Sequence, residues 1–552
     1  MHDFHSWADA RPDRVALTMG DSGQQHTAGA LAQRSREVAQ WMAGQGLAAG
    51  DTVAVLMENR VEILELVLAA RLAGLYAVVI STHLTAPEVA YILGDSGARH
   101  VFASAATAAQ LPAAAGGTVH SVDGDCASTG LPSLADALAA CPCAGARAHR
   151  PVQPSAGARP AVLLRHHGRP KGIKKALPAA LYRTQADPEF LAWQRNMGFD
   201  SDAVYLSPAP LYHAAPLRYC LRTLDGGGAV VITARFDAQQ ALAMIERYRI
   251  THSQWVPTML GRLLQLPEEV RHGYDLSSHR CAIHAAAPCP VAVKQALLDW
   301  WGDILLEYYA GSEGCGITLI NSAEWRRRPG SVGRASYGRL RIVGDDGQEL
   351  PAGQIGRVFF SDVAPFAYLN DPAKTREAID ERGWATYGDL GHVDEEGYLF
   401  LSDRRADLIL SGGVNLYPQE IENALATHPA VQEVAVVGVP EPDFGEQPMA
   451  VVVLRQGHAA SAEMARAIVA EAGRHAVAPQ APAAPAVRGR AAAPAHGQAA
   501  APRAQGQAAR AATRGLQPAQ RLNGPSPFFL TDNHRIPTHA RPDRALRLPR
   551  RP

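Results

Sequence analysis

No sign of charge predominates in this chain: Lys and Arg together number 53, and so do Asp and Glu. A polypeptide with zero net charge is not built as a general nucleic-acid binder, and the balance leaves room only for a local basic channel. Cysteine is sparse, seven in 552 residues, and only Cys141 and Cys143 stand close together. No paired C-x-x-C spacing offers a structural metal site, so free thiols in a reducing compartment, the cytoplasm, are expected. Long apolar runs are also missing. The stretch from Ile63 to Ile80 is interrupted by Glu65, Arg71 and Gly74, which fits a buried helix and strand rather than a transmembrane segment. The first residues, MHDFHSWADARPDR, carry charge early and lack the apolar segment of a signal peptide. No repeat of fixed period stands out, which argues against a solenoid.

What is present is alternation. The length suffices for two or more domains. Apolar runs at Thr52–Met57, Tyr76–Ile80, His100–Ala103, Ala203–Leu206, Ala229–Ile232 and Ile304–Tyr308 read as buried strands. Between them Ala28–Gln45, Val61–Leu72, a segment opening at Pro87, Phe236–Tyr248 and Val291–Trp301 read as helices. Short strands alternating with helices predict a parallel α/β sheet. From about residue 330 the character changes: Gly338–Val343, Gly356–Phe360 and Tyr398–Leu401 read as antiparallel strands, with an Asp346-Gly347 turn signal. A small α+β unit follows, with a helix Pro418–Thr427 and a strand Val434–Val439. The predicted fold is therefore α/β, a large N-terminal domain of parallel α/β sheets with a β-rich sub-domain, plus a small α+β C-terminal domain. The expected boundaries are 1–402, 403–474 and a low-complexity tail, 475–552. His475–Pro518 is mostly Ala, Pro, Arg, Gly and Gln, too poor in large apolar side chains to offset chain entropy, so this tail is expected to be disordered.

Two stretches concentrate chemistry. In Tyr387–Glu422, Asp389 and Asp394 read as flanking a short turn. A charged knot of Asp403, Arg404, Arg405 and Asp407 follows, then Gly412-Gly413 and a helix start at Pro418. Taken alone this is a hairpin with a solvated charged surface. Earlier, Glu307-Tyr-Tyr-Ala-Gly-Ser-Glu-Gly314 follows a strand and ends in a glycine turn, where a hydroxyl beside a carboxylate suits a phosphate and a hard, oxygen-seeking Mg²⁺. Taken alone it is a polar loop.

Together, in this order, these stretches resemble the acyl-adenylate-forming enzymes: acyl-CoA synthetases, adenylation domains and luciferases. The resemblance spans roughly residues 1–470, with Pro329–Arg334 matching a further family segment. It implies ATP-dependent activation of a carboxylic acid, fatty or aromatic, to acyl-AMP with Mg²⁺. Transfer to coenzyme A would follow after the small domain rotates about Ala406. Carried over residue by residue, it makes Ser312, Glu313, Lys171 and His213 the catalytic candidates, with Glu313 on the metal and His213, in Ser207–His213, gating the acyl pocket. Tyr309 would stack on adenine, and Gly311 lies in the same loop. His284 opens the adenine-lining segment His284–Pro288, Asp389 would take both ribose hydroxyls, and Arg404 would add a ribose or phosphate contact. Gly412 and Gly413 would let backbone pass the CoA tunnel. Trp255–Met259 resembles acyl-pocket wall, although Trp and Met at such positions are more often plain core. The implied partners are the acid, ATP and CoA, with no nucleic acid, and a homodimer is left open. Delivery of the acyl group to a carrier protein, a non-catalytic nucleotide- or acyl-binding role, and a chain that does not fold stably are the alternatives.

The family pattern fails twice. The phosphate loop Y-S-S-G-T-T-G-R-P-K-G reads Val162-Leu-Leu-Arg-His-His-Gly-Arg-Pro-Lys-Gly172, keeping Gly168–Gly172 but not the hydroxyl-rich turn. The C-terminal P-x-x-x-x-G-K segment with its catalytic lysine is missing after residue 470. The genetic code offers one account of both. Val162–His167 can be encoded GTA CTC CTC CGG CAC CAC; read one base later, into the GG of Gly168, it gives Y-S-S-G-T-T. Gln480–Ala491 can be encoded so that the same displacement gives K-L-P-R-R-L-R-F-V-D-E-L, and His496–Pro502 then gives T-G-K-L-L-R. Third bases are free, so these readings are permitted rather than forced. The expectation is a family member whose reading frame is displaced at two places, with impaired activity as written.

Overall fold

The computed structural model describes residues 3–112, 117–123, 130–140, 162–164, 175–176, 197–368, 370–404, 409–411, 414–416, 418–441, 445–455, 457–475 and 528–531. Two compact units emerge, one of residues 1–387 and 391–401, the other of residues 388–390 and 402–552.

The first unit carries two large sheets. A five-stranded sheet runs in the order Thr118–Ser121, Ala98–Ala103, Thr52–Leu56, Tyr76–Val79, Val162–Leu164, and every pairing is parallel. A nine-stranded sheet has a parallel centre, Leu305–Ala310, Cys281–His284, His252–Trp255, Val204–Ser207, Ala229–Ile232 and Val15–Met19. Antiparallel strands close both its edges: Gln25–Thr27 on one side, Ile317–Asn321 and Arg334–Tyr337 on the other. The helix Ala28–Gly44 starts where Thr27 caps it, its side chain accepting from the Ala30 N–H, and buries Leu31, Val38, Trp41 and Met42. Helix Val61–Ala73 is apolar nearly all round, as an interior helix must be, and stops at Gly74 in the left-handed conformation. The expected parallel α/β core is thus present.

The β-rich part is a four-stranded sheet in the order Arg339–Val343, Gly356–Ser361, Ala385–Val393, Leu399–Arg404. Here one expectation is corrected. Asp389 and Asp394 do not flank a turn, because Asp389 lies within the strand Ala385–Val393 and the turn runs from Asp394 to Gly397. Asp394 closes that turn: its Oδ1 accepts from the Glu396 and Tyr398 N–H groups at 3.0 and 2.8 Å. Gly391 lets the strand continue, since a Cβ there would sit 2.4 Å from the Phe400 carbonyl oxygen.

The second unit has its own sheet, Val414–Leu416, Ile409–Ser411, Gly445–Leu454, Val431–Glu441, and helices Pro418–Leu425 and Ala462–His475. Ile409, Leu425, Val431, Val436, Val452, Leu454 and Ile468 form its core. Glu422, on the helix Pro418–Leu425, accepts from the Val436 N–H at 2.8 Å. Within the segment expected to be a disordered tail, Phe528–Thr531 forms a strand parallel to Gly445–Leu454, and the rest of that segment lies outside the described residues.

Burial leaves a signature in acid. It pulls His5, His120 and His252 down to about 4 and His279 to about 3, from 6.5. The unfolded chain therefore binds more protons between pH 6.5 and 4, and stability is lost as pH falls through that window. Glu65 opposes this, because burial raises it to about 7, so its folded form takes up a proton as pH falls. Four imidazoles against one carboxyl predict a urea midpoint that drops between pH 7 and 4.5. A flat or rising midpoint contradicts the assignment of these histidines as buried and neutral.

Candidate active site

The parallel strands of the nine-stranded sheet deliver their C-terminal ends to one edge, where ligand sites of open α/β sheets form. Leu305–Ala310 ends there and passes directly into Gly311, Ser312, Glu313 and Gly314. Ser312 is buried, 9% exposed. Glu313 Oε1 accepts the Tyr368 hydroxyl at 2.9 Å, and burial with this carboxylate beside it holds the Tyr368 phenol protonated. Tyr387, from strand Ala385–Val393, packs over the loop. Its hydroxyl donates to the Gly316 carbonyl at 2.8 Å and stands 3.2 Å from the Gly316 N–H. Its ring meets Tyr309 edge-on, centroids 5.4 Å apart. This explains Gly311: a Cβ there would lie 2.4 Å from the Tyr387 ring. The pattern YYAGSEG signalled the loop, while Tyr368 and Tyr387, the two tyrosines that fix it, had no role in the sequence reading beyond Tyr387 marking the start of the charged stretch.

Two short strands flank the segment that stands where the family's phosphate loop is expected. Its N-terminal end is the strand Val162–Leu164, parallel to Ala77–Val79. Its C-terminal end is Lys175–Ala176, antiparallel to Ala367–Tyr368, so that Tyr368 pairs with Lys175 on the backbone and holds Glu313 by its hydroxyl. Lys171 lies between these anchors, outside the described residues, as do Ala406, Gly412 and Gly413. Arg404 closes the strand Leu399–Arg404. Asp389 is 6% exposed, two residues beyond Tyr387 on the same strand.

His213 caps the helix Ala214–Asp225, with its ring 4.6 Å from that of Tyr212. The segment before it is clamped by Asn59, which no motif singles out. The Asn59 amide donates to the carbonyls of Ala209 and Thr233 at 3.1 and 2.9 Å and accepts from the Leu211 N–H at 2.7 Å. Trp255 does not present itself at this edge. It is 1% exposed, donates to Ser253 Oγ at 2.6 Å and packs on Phe236 and Trp301. The plain-core reading holds for its side chain.

His284 is fully buried, and neither ring nitrogen has a hydrogen-bond partner. Its Nε2 lies 3.8 Å from Glu307 Oε2, to which Lys294 Nζ donates at 2.5 Å. Burial, then the Lys294 charge, pulls the imidazole far below its usual range and keeps it neutral. Only the backbone after it, Ala285–Ala287, turns at the sheet edge, with Ala286 at φ +79°. Among the described residues no cluster of three or more His, Cys, Asp or Glu could hold a metal. Among the described residues no helix is long and apolar enough to cross a membrane.

The fold is that of the adenylate-forming enzymes, as comparison with known proteins shows. The family model "AMP-binding enzyme" matches residues 4–364, and "AMP-binding enzyme C-terminal domain" matches residues 420–487. The chain belongs to the AMP-binding enzyme family. It is 33% identical over 440 residues to the long-chain-fatty-acid–CoA ligase FadD13 of Mycobacterium tuberculosis, covering 77% of this chain and 82% of that one. It is 32% identical over 459 residues to a feruloyl-CoA synthase of an Amycolatopsis species, covering 81% and 87%. The o-succinylbenzoate CoA synthetase of Bacillus subtilis, in complex with its acyl-adenylate intermediate, superimposes with a TM-score of 0.68 at 25% identity, covering 85% of this chain and 92% of that one.

Proposed function

We propose that the chain is built for ATP-dependent acyl-CoA synthesis. A carboxylate attacks the α-phosphate of ATP, the bond to pyrophosphate breaks, and acyl-AMP forms. The CoA thiolate then attacks the acyl carbon and releases AMP. The observation that carries this reading is the Tyr309–Glu313 loop, held against Tyr387 and Tyr368 at the C-terminal edge of the parallel sheet. Tyr309 would take the adenine and Ser312 a phosphate oxygen. Asp389, accepting twice, suits the ribose diol. Mg²⁺, when bound with ATP, would neutralise phosphate charge beside Glu313. The acid is proposed to be fatty or aromatic, the two classes named in the relatives above.

In the chain as written, adenylation should be weak. Catalysis of this step is mainly positioning and charge neutralisation, and each lost transition-state donor costs on the order of a hundredfold or more. The phosphate-loop hydroxyls and the C-terminal lysine are two such donors, and both are proposed to be lost by displacement of the reading frame. Gene DNA whose shifted frames do not encode the two segments contradicts that explanation. The activity itself is read by ATP–pyrophosphate exchange over a panel of carboxylates, with product mass distinguishing a CoA thioester from an acylated carrier protein. Weak exchange, with CoA as the acceptor of any product, is expected, and robust exchange in the unaltered chain contradicts the impairment.

A further inference from the structure

Behind the nucleotide loop lies a buried ion pair that no step of the reaction uses. Lys294 and Glu307 are 1% and 4% exposed, and the Lys294 Nζ lies 2.5 Å from Glu307 Oε2. The same ammonium sits 4.9 Å from the centroid of the buried Trp325 ring. His284 and Glu307 are direct neighbours in register on adjacent parallel strands, and Lys294 reaches them from the helix Val291–Trp301. Lys294 thus ties the strand end at Glu307 to the helix Val291–Trp301, which follows the strand ending at His284.

A buried ion pair is weak support for stability, because desolvating both charges offsets most of their attraction, and well-packed apolar replacements are often neutral or better. What this pair does have is position. His284 is followed at once by the turn Ala285–Ala287, in which Ala286 adopts φ +79°. An alanine in that region is strained by about 1–3 kcal/mol and persists only where its surroundings over-determine it. On the other strand, Glu307 is two residues before Tyr309 and five before Ser312. The pair thus joins the strand that runs into Tyr309 to the helix that follows the turn.

We propose that Lys294 and Glu307 are positioning residues that hold the Ala285–Ala287 turn and the Tyr309–Glu313 loop at the separation that receives an adenine nucleotide. The proposal rests on the reading of that loop as the nucleotide site. Neither residue touches the nucleotide, and both act through the segments they join.

The test uses the full chain and the double variant Lys294→Met/Glu307→Met, which removes both charges and keeps the volume. Three quantities are compared with the parent: the melting temperature, amide hydrogen exchange, and AMP affinity by calorimetry. The melting temperature should stay within a few degrees. Exchange should accelerate about tenfold in residues 285–287 and 309–313 but not in the strand Ala229–Ile232, and AMP affinity should fall about tenfold, a difference of about 1.4 kcal/mol. An intact melt with unchanged exchange in either segment, or with unchanged AMP affinity where the parent binds AMP, overturns the proposal. A parent chain that binds no AMP defeats the nucleotide reading of the loop, and the exchange data alone then decide whether the pair positions the two segments. If the double variant loses its cooperative melt, Glu307→Gln, which keeps the volume and a hydrogen-bonding oxygen, is read by the same criteria.

Discussion

Replacing Val162–His167 by Tyr-Ser-Ser-Gly-Thr-Thr, together with rebuilding the chain from residue 480 onward in the displaced frame, is expected to raise ATP–pyrophosphate exchange by about ten-thousandfold. The expectation combines two losses of about a hundredfold each. The two groups act on one transition state, so either repair alone should recover much less than its share. The fold permits the loop repair. Six residues replace six, so the chain length from strand position 162 to Lys175–Ala176 is unchanged, and Lys175 still pairs with Tyr368, whose hydroxyl binds Glu313. The repaired first residue is tyrosine, which a strand accepts readily. Exchange that rises less than tenfold with both repairs made would show that the missing segments are not what limits this chain.

Lys294→Ala alone is expected to be far more damaging than its double-methionine counterpart. It leaves the Glu307 carboxylate, 4% exposed, beside a neutral His284, with no other cation paired to its Oε2 among the described residues. Breaking a buried pair by removing one partner costs about 3–5 kcal/mol, because an uncompensated charge stays behind. Burial already pushes the Glu307 carboxyl up and Lys294 opposes that shift, so the variant's glutamate should protonate instead. Its loss of stability should therefore shrink as pH falls, the reverse of the trend the buried histidines impose on the parent. Denaturant titration at pH 7.5 and 5.5 measures both effects. A loss below about 1 kcal/mol at pH 7.5 would mean that the pair is solvated or otherwise compensated.

The parallel sheets were legible because their strands are short apolar runs: Thr52–Leu56 is buried at every position and Ala229–Ile232 at nearly every one. Strand Ala385–Val393 was not, since Gly388, Asp389 and Gly391 lower its β-propensity and their fitness is decided by a neighbouring strand, as the Phe400 carbonyl over Gly391 shows. His252–Trp255 carries His, Ser and Gln in a fully buried strand, which no apolar pattern reveals; those side chains are satisfied by groups far along the chain, such as Met197, His279 and Tyr308. At the site, the Tyr309–Glu313 loop is continuous in sequence and could be read directly. The residues that hold it could not. Lys294 looks like a solvated helix lysine until its partner 13 positions away is found, and Asn59 binds a segment 150 residues distant. His284 shows the limit from the other side: the resemblance puts it at the start of an adenine-lining segment, while its ring is fully buried in the core.

The nucleotide half of the site and the missing phosphate and lysine contacts make opposite claims about one protein: it should bind AMP and barely turn over ATP. Calorimetric titration of AMP into the unaltered chain and into Asp389→Ala tests this most directly. One site per chain, weakened at least about tenfold by the substitution through loss of hydrogen bonds to a charged acceptor, is the predicted result. No binding to the unaltered chain, or binding indifferent to Asp389, would contradict it.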